Sequence, residues 1–236
     1  MDELDFYQKF DFKADFLFDE LSNIERVYVE SQMESILFSK GQSLFYEGGV
    51  PTGVFLIDLG KVKLTKTGLD GKEQIFYIYK AGDLLGYHAA LGKERYEDSA
   101  IAIEPSSVRF ISMETFDNLR SSINKINQSL ISNMGHEFGA LANIIGVMAQ
   151  KSQSIRLATF LLLLERKYES GNSNDAGISL SRENLANIIG TSRESLGRSL
   201  KEFKDQDLIS IDRKKIVIKN HKRLKELVGI TKLQED

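Results

Sequence analysis

Apolar and polar positions change rhythm near residue 113. Before it the chain runs in short segments. Ten of its 18 glycines fall between Gly41 and Gly92, at the strand-plus-turn spacing of an all-β sandwich or barrel. Within "GVFLIDLGKVKLTKTGLDGKEQIFYIYKAGDLLG", β-branched and aromatic segments are split by "LDGK" and "KAGD", which reads as strand, hairpin, strand and turn. A further strand pair is expected in "DSAIAIEPSSVRFIS", with Pro105 at its turn. Ahead of the strands, "FDELSNIERVYVESQM" predicts a helix that caps the barrel. From about Met113 this punctuation gives way to helical spacing, in which Met134, Phe138, Leu141, Ile145 and Met148 recur at intervals of 4, 3, 4 and 3. Such a seam can pack on the preceding barrel. Burial against its own copy is the more economical outcome, so a parallel homodimer is expected. "KSQS", residues 151–154, interrupts the seam and predicts a hinge; "IRLATFLLLLERKYES" follows as a second helix and ends at a turn-rich loop, "GNSNDAG".

Residues 180–204, "LSRENLANIIGTSRESLGRSLKEFK", divide into two helical patterns around Gly190. Leu185, Ile188 and Ile189 face inward on the first, and Leu196, Leu200 and Phe203 on the second. Helix, short glycine turn and helix is the helix-turn-helix arrangement, whose second helix enters the DNA major groove. The face opposite the second apolar stripe presents Arg193, Glu194, Gly197, Arg198 and Lys201. Arginine pairs bidentately with guanine O6 and N7, a carboxylate accepts from cytosine N4, and Lys201 suits a phosphate. Glu194 also fits a capping box with Thr191, in which it only satisfies a backbone N–H. Gly197 costs roughly 1 kcal/mol against alanine inside a helix, which points to a close approach that a side chain would obstruct. "LISIDRKKIVIKN" then reads as a hairpin with Arg213, Lys214 and Lys215 at its tip, a basic wing for phosphates.

Charge sharpens this division. Residues 1–150 carry 14 Lys/Arg against 22 Asp/Glu and residues 151–236 carry 17 against 12, although the whole chain is only −3. A basic C-terminal part suits a polyanion, while scattered solvated charge remains the plain alternative. At 236 residues with 42% hydrophobic positions, two globular domains each have enough apolar material for a core. The longest apolar run, "LATFLLLL", stops at Glu165 and Arg166, far short of the roughly 20 residues that span a bilayer. The acidic start, "MDELDFYQKFDF", lacks a signal-peptide pattern, so a cytoplasmic location and no membrane partner are expected. The chain has no cysteine, which removes disulfides, thiolate zinc sites, cysteine nucleophiles and cysteine-held iron–sulfur clusters. A cupin-like metalloenzyme would need clustered histidines, yet His88, His136 and His221 lie in separate segments. A signalling module that regulates a partner protein is disfavoured by the basic C-terminal domain.

The order of parts, with "SRESLGR" in the second helix, resembles the CRP/FNR family of bacterial transcription regulators over about residues 15–228. The resemblance implies an α+β chain. It would comprise a cyclic-nucleotide-binding-like β-barrel (a jelly roll) with an N-terminal helix at 1–112, a dimerisation helix at 113–151, and a winged helix-turn-helix at 152–236. It implies base reading by Arg193, Glu194 and Arg198, phosphate contacts by Arg182 and Ser192, and a half-site like the TGTGA of cyclic-AMP receptor protein. It further implies a homodimer on palindromic double-stranded DNA, contact with RNA polymerase, and allosteric control by an effector in the barrel. "KGQSLFYEGGVPTGVFLIDLGKVKL" and "AGDLLG" carry the family's barrel pattern.

The effector pocket departs from that pattern. Its candidate residues are Gly86, Tyr87, His88, Glu97, Asp98, Leu141 and Ala142. Tyr87 stands where cyclic-nucleotide binders have a ribose-binding glutamate, and Glu97-Asp98 where they have Arg-Ser for the phosphate. Carboxylates there repel a phosphate; Arg95 would share a side of an extended strand with Glu97 and so not relieve it. Leu141 and Ala142 replace the polar pair that meets the base. Loss of cyclic-AMP binding is expected, which leaves the effector and any cofactor open. A haem site at His88 and a pocket filled by its own side chains, giving a constitutive DNA binder, are the alternatives.

Overall fold

The computed structural model describes residues 2–169 and 177–230, so most of the expected "GNSNDAG" loop lies outside the described residues. In chain order the elements are α1 (Glu3–Phe10), α2 (Asn23–Ser31), β1 (Glu34–Phe38), β2 (Ser43–Phe45), β3 (Gly53–Leu59), β4 (Val62–Thr67), β5 (Glu73–Tyr79), β6 (Leu84–Leu85), α3 (Tyr87–Gly92), β7 (Ser99–Ala102) and β8 (Ser106–Ser112). Then follow α4 (Met113–Ser122), α5 (Asn124–Gln150), α6 (Gln153–Glu169), α7 (Arg182–Ile189), α8 (Arg193–Asp205), β9 (Ile209–Asp212), β10 (Lys215–Ile218) and α9 (His221–Leu227). The chain forms two compact units, Phe12–Phe138 and a second that joins Met1–Asp11 to Gly139–Asp236.

The first unit is a sandwich of two four-stranded sheets, ordered β1-β8-β3-β6 and β2-β7-β4-β5. It is therefore an open jelly roll and not the closed barrel expected. The expected pair around Pro105 exists as two strands, but β8 joins β1 and β3 while β7 joins β2 and β4. The Pro105 turn carries the chain from one sheet to the other. The β4–β5 hairpin is as expected, running from Val62 opposite Tyr79 to Thr67 opposite Glu73. Gly71 closes it at φ +76°, a conformation that suits glycine.

Helices seal one core with the strands. Val54, Leu56 and Ile111 of the sheet pack with Val29 of α2, Phe116 of α4, and Ile126 and Leu130 of α5. The helical run from Met113 is two helices, because Ile123 leaves helical geometry and buries its side chain between α4 and α5. α5 ends at Gln150, and Lys151–Ser152 separates it from α6 at the expected hinge.

The second unit is built on α6, whose Leu157–Leu164 run is buried throughout. α7 is capped by the Ser181 side chain and stops where Gly190 turns left-handed at φ +67°. β9 and β10 form the wing, and Ile178 bridges to Ile216 beside it.

Candidate functional site

α8 presents two contrasting faces. Leu196, Leu200 and Phe203 are buried, whereas Arg193, Glu194, Gly197, Arg198 and Lys201 are exposed. The helix begins one residue later than the capping box requires. Its N-cap is Ser192, whose side chain accepts from the Ser195 N–H, and Thr191 instead donates to Gln153 Oε1 at 2.7 Å. Glu194 is held below the usual carboxylate range by its own backbone N–H and by the Ser192 hydroxyl. Arg198 leans on Ser195 Oγ at 2.7 Å.

A groove of about 500 Å³ runs along this face, lined by Arg182, Arg193, Glu194, Gly197, Leu200, Lys201, Lys204 and Ile211. It thus brings together Arg182 from α7 with Arg193, Glu194 and Lys201 from α8, and adds Lys204, which sequence reasoning missed. Arg198 lies outside the lining, and so do Ser192, Arg213 and Lys214. Arg213 and Lys214 stand exposed at the wing tip, Arg213 with φ +53°. Burial lowers the Arg182 pKa, and its Nη1 is buried with no hydrogen-bond partner among the described residues. A buried guanidinium donor beside an open basic groove suits an incoming anion.

Two residues at the hinge tie the recognition helix to what precedes it. Gln153 donates from Nε2 to the Ser195 carbonyl at 3.0 Å and to Ser199 Oγ at 2.7 Å. Arg156 donates to the Lys151 carbonyl at 3.2 Å and to the Gly190 carbonyl at 3.4 Å. The only signal for these in the sequence was their place in and after "KSQS".

In the sandwich, the effector candidates divide. Gly86 takes φ +79° as N-cap of α3, with Tyr87 and His88 following on that helix. Asp98 Oδ1 comes to 3.7 Å from His88 Nε2, too far for a hydrogen bond, and burial raises the Asp98 pKa against the pull of His88. Glu97 points to solvent and pairs with Lys66 at 3.0 Å. Arg95 donates to the Gly48 carbonyl at 2.7 Å. Residues 93–98 form an irregular connection, not the extended strand assumed above. Leu141 and Ala142 belong to the other compact unit. Tyr87 is 1% exposed and sits in the core beside the Phe16 ring. Asn133 Nδ2 donates to Tyr87 Oη at 2.7 Å and to Glu137 Oε1 at 2.8 Å, and the Tyr87 hydroxyl hydrogen-bonds the Glu137 carboxylate.

Residues 155–227 match the model of the Crp-like helix-turn-helix domain, and residues 36–122 match that of the cyclic nucleotide-binding domain. The fumarate and nitrate reduction regulatory protein of Vibrio cholerae is 30% identical over 195 residues, 82% of this chain and 78% of that protein. Its namesake from Escherichia coli matches to the same extent. The chain belongs to the CRP/FNR family. Two solved structures at 22% identity share the fold of this CRP/FNR protein. One, a transcriptional regulator of the crp/fnr family from Eubacterium rectale, has a TM-score of 0.71 and covers 90% of this chain and 97% of its own. The other, FixK2 from Bradyrhizobium japonicum, has a TM-score of 0.71 and covers 84% and 98%.

This CRP/FNR protein is therefore a DNA-binding transcription regulator and not an enzyme. Among its described helices none is long and apolar enough to cross a membrane. On α5, Met134, Phe138 and Ile145 of the expected seam are 39%, 78% and 65% exposed, and Ile131 extends the stripe at 70%. Leu141 and Met148 are half-buried.

The Tyr87–Asn133–Glu137 cluster gives the regulator a pH dependence. Burial pushes the Glu137 pKa from 4.5 to about 7 and Asp83 adds to the rise, while the hydrogen bonds from Tyr87 and Asn133 oppose it. The folded state thus favours the neutral acid. Its contribution is complete below the ordinary carboxylate pKa and is lost as pH rises through about 7. Urea denaturation of Glu137→Gln is expected to lack a fall in stability, on the order of 3 kcal/mol between pH of about 5 and 8, that the parent shows. Parallel pH profiles for the two proteins would contradict this assignment.

Proposed function

We propose that this regulator binds a palindromic DNA site as a homodimer. Arg193, Glu194 and Arg198 read base edges, while Arg182, Ser192, Lys201, Arg213 and Lys214 hold phosphates. One observation carries the reading: the exposed polar face of α8 backs directly onto the buried Leu196, Leu200 and Phe203. Packing therefore explains one side of the helix and leaves the other for a ligand with groove chemistry. The sandwich is the effector domain, its signal is not cyclic AMP, and the cytoplasmic dimer acts together with RNA polymerase. The sensor part is residues 1–112, the dimerisation helix 113–151 and the DNA-binding part 152–236, although residues 1–11 pack with the last of these. Fluorescence anisotropy of the full chain with a labelled TGTGA palindrome and a scrambled duplex tests base reading. Indistinguishable affinities at moderate salt would refute it.

A second reading of the sensor half is supported by Tyr87. Its ring fills core space and its hydroxyl is engaged by Asn133, so the pocket is occupied by the chain's own side chains and DNA binding is constitutive. Native mass spectrometry of protein purified from its own host separates the two. A dimer with a reproducible added mass supports an effector, and a bare dimer that binds DNA supports the constitutive form.

Gly197 offers a further check. A Cβ there meets nothing within 4 Å, so no neighbour in the chain explains the glycine. Gly197→Ala is expected to stabilise the fold by about 0.5–1 kcal/mol in urea titrations while weakening DNA binding. A variant that is more stable and binds DNA as tightly as the parent would show that nothing approaches this position.

A further inference from the structure

The first eleven residues fold with the DNA-binding unit, although the whole sandwich separates them from it in sequence. α1 buries Phe6 and Phe10, at 2% and 8% exposure. Its polar contacts reach three separate helices. The Asn143 side chain on α5 donates to the Lys9 carbonyl at 2.9 Å. On α6, Lys167 pairs with Asp11 at 2.8 Å while only 5% exposed, and the Arg166 guanidinium lies 4.8 Å from the centre of the Tyr7 ring. On α9, Lys225 pairs with Glu3 at 2.6 Å. α5 and α6 are the two helices that meet at Lys151–Ser152, so α1 bridges them through Asn143 on one and Arg166 and Lys167 on the other.

An open hollow of about 550 Å³ lies beside the start of α1, lined by Leu4 and Tyr7 of that segment and by Glu165, Arg166 and His221. Against the ordering of residues 2–11 stand two buried phenylalanines and a few ion pairs. The next residue is anchored elsewhere. Phe12 stacks on Tyr77 with ring centres 3.7 Å apart, and its N–H donates to Tyr77 Oη at 2.7 Å, within the sandwich. Adjacent residues 11 and 12 are thus fastened to different units. Because consecutive Cα atoms stay about 3.8 Å apart, Phe12 cannot move far without dragging Asp11 or unseating α1.

We propose that residues 2–11 are a detachable strap across the α5–α6 junction, through which the sandwich controls the orientation of the recognition helix. The strap assignment stands on contacts within the chain; its effect on DNA rests on the reading of α8 above. Undocking releases the Asn143, Arg166, Lys167 and Lys225 side chains that α1 engages and gives the junction back its freedom, which binding to DNA must then remove.

Hydrogen exchange of the full-length protein tests the strap without DNA. Phe6→Ser/Phe10→Ser is expected to speed amide exchange at residues 148–156 by about tenfold or more, with the sandwich amides unchanged. Glu3→Lys is expected to give a smaller opening that Glu3→Lys/Lys225→Glu reverses, which excludes misfolding as the cause. Unchanged exchange at 148–156 in the phenylalanine variant would overturn the strap. Anisotropy with the palindrome then tests control, and a change of about threefold or more in affinity is expected. An opened junction with unaltered affinity would overturn the link to orientation. If the parent itself does not discriminate the palindrome, the base-reading assignment has failed and the exchange experiment still decides the strap.

Discussion

Arg193→Ala/Arg198→Ala is expected to retain the parent's stability and its binding to scrambled DNA, and to lose its preference for the palindrome. Both side chains are exposed, Arg198 makes a surface bond to Ser195, and both arginines only face Glu194 electrostatically, so folding has little to lose. A bidentate arginine–guanine pair is worth about 1–3 kcal/mol of discrimination, so two in each half-site amount to roughly 2–6 kcal/mol. Competition anisotropy should show the specific affinity falling about 30-fold or more toward the non-specific value. Lys201→Ala provides the contrast. A lost phosphate contact weakens all duplexes alike and lowers the salt slope by about one per half-site. A double arginine variant that weakened both duplexes equally would show that these residues hold the backbone and that sequence is read elsewhere.

The parts of this protein that were legible in the sequence are those decided by neighbours in the chain. Leu185, Ile188 and Ile189 lie within little more than one helical turn, Leu196, Leu200 and Phe203 within about two, and the glycine turn stands between them. Their spacing therefore fixes both helices and the face left exposed. The β4–β5 hairpin is local in the same sense. The sheets as a whole are not. Nothing in "DSAIAIEPSSVRFIS" says that its two strands part company, because that depends on where β1–β4 offer free edges. Capping showed a finer limit. Thr191 and Ser192 are both good N-caps by type, and the Gln153 side chain, 38 residues upstream, takes Thr191 away. The docking of α1 and the hydrogen bonds around Tyr87 were out of reach for the same reason: each joins residues that only the fold brings together. A hint did exist for Tyr87, since Asn133 and Glu137 are four apart on the side of α5 turned away from the Phe138 and Ile145 stripe, where an apolar residue would be expected against the core.

Phe138→Glu is expected to leave each chain folded and to separate the homodimer proposed above. Phe138 is 78% exposed in the single chain, so the substitution removes little packing within it. In a two-fold dimer the same change is made twice. Losing a buried phenylalanine forgoes about 1.5–3 kcal/mol, the pair of copies twice that, and two facing carboxylates would add repulsion and desolvation. The surface beside it favours a close approach of two helices. Gly135, Gly139 and Gly146 lie next to the Ile131, Phe138 and Ile145 stripe, and a Cβ at any of them would meet nothing within 4 Å. A large side chain from a second copy has room to seat there, which is how small and large positions interdigitate across a packed helix pair. Sedimentation velocity at micromolar concentration should therefore show the parent as a dimer and Phe138→Glu as a monomer. The effect on DNA follows from linkage of the two reading heads. Once one is bound, the tethered second samples its half-site at an effective concentration of order millimolar, and that advantage, roughly 10²- to 10⁴-fold, vanishes with the dimer. Binding to an isolated half-site should survive, because Arg193, Glu194 and Arg198 are untouched. A Phe138→Glu protein that remained dimeric would move the interface off this stripe, and one that was monomeric yet held the full palindrome as tightly as the parent would remove the need for two heads.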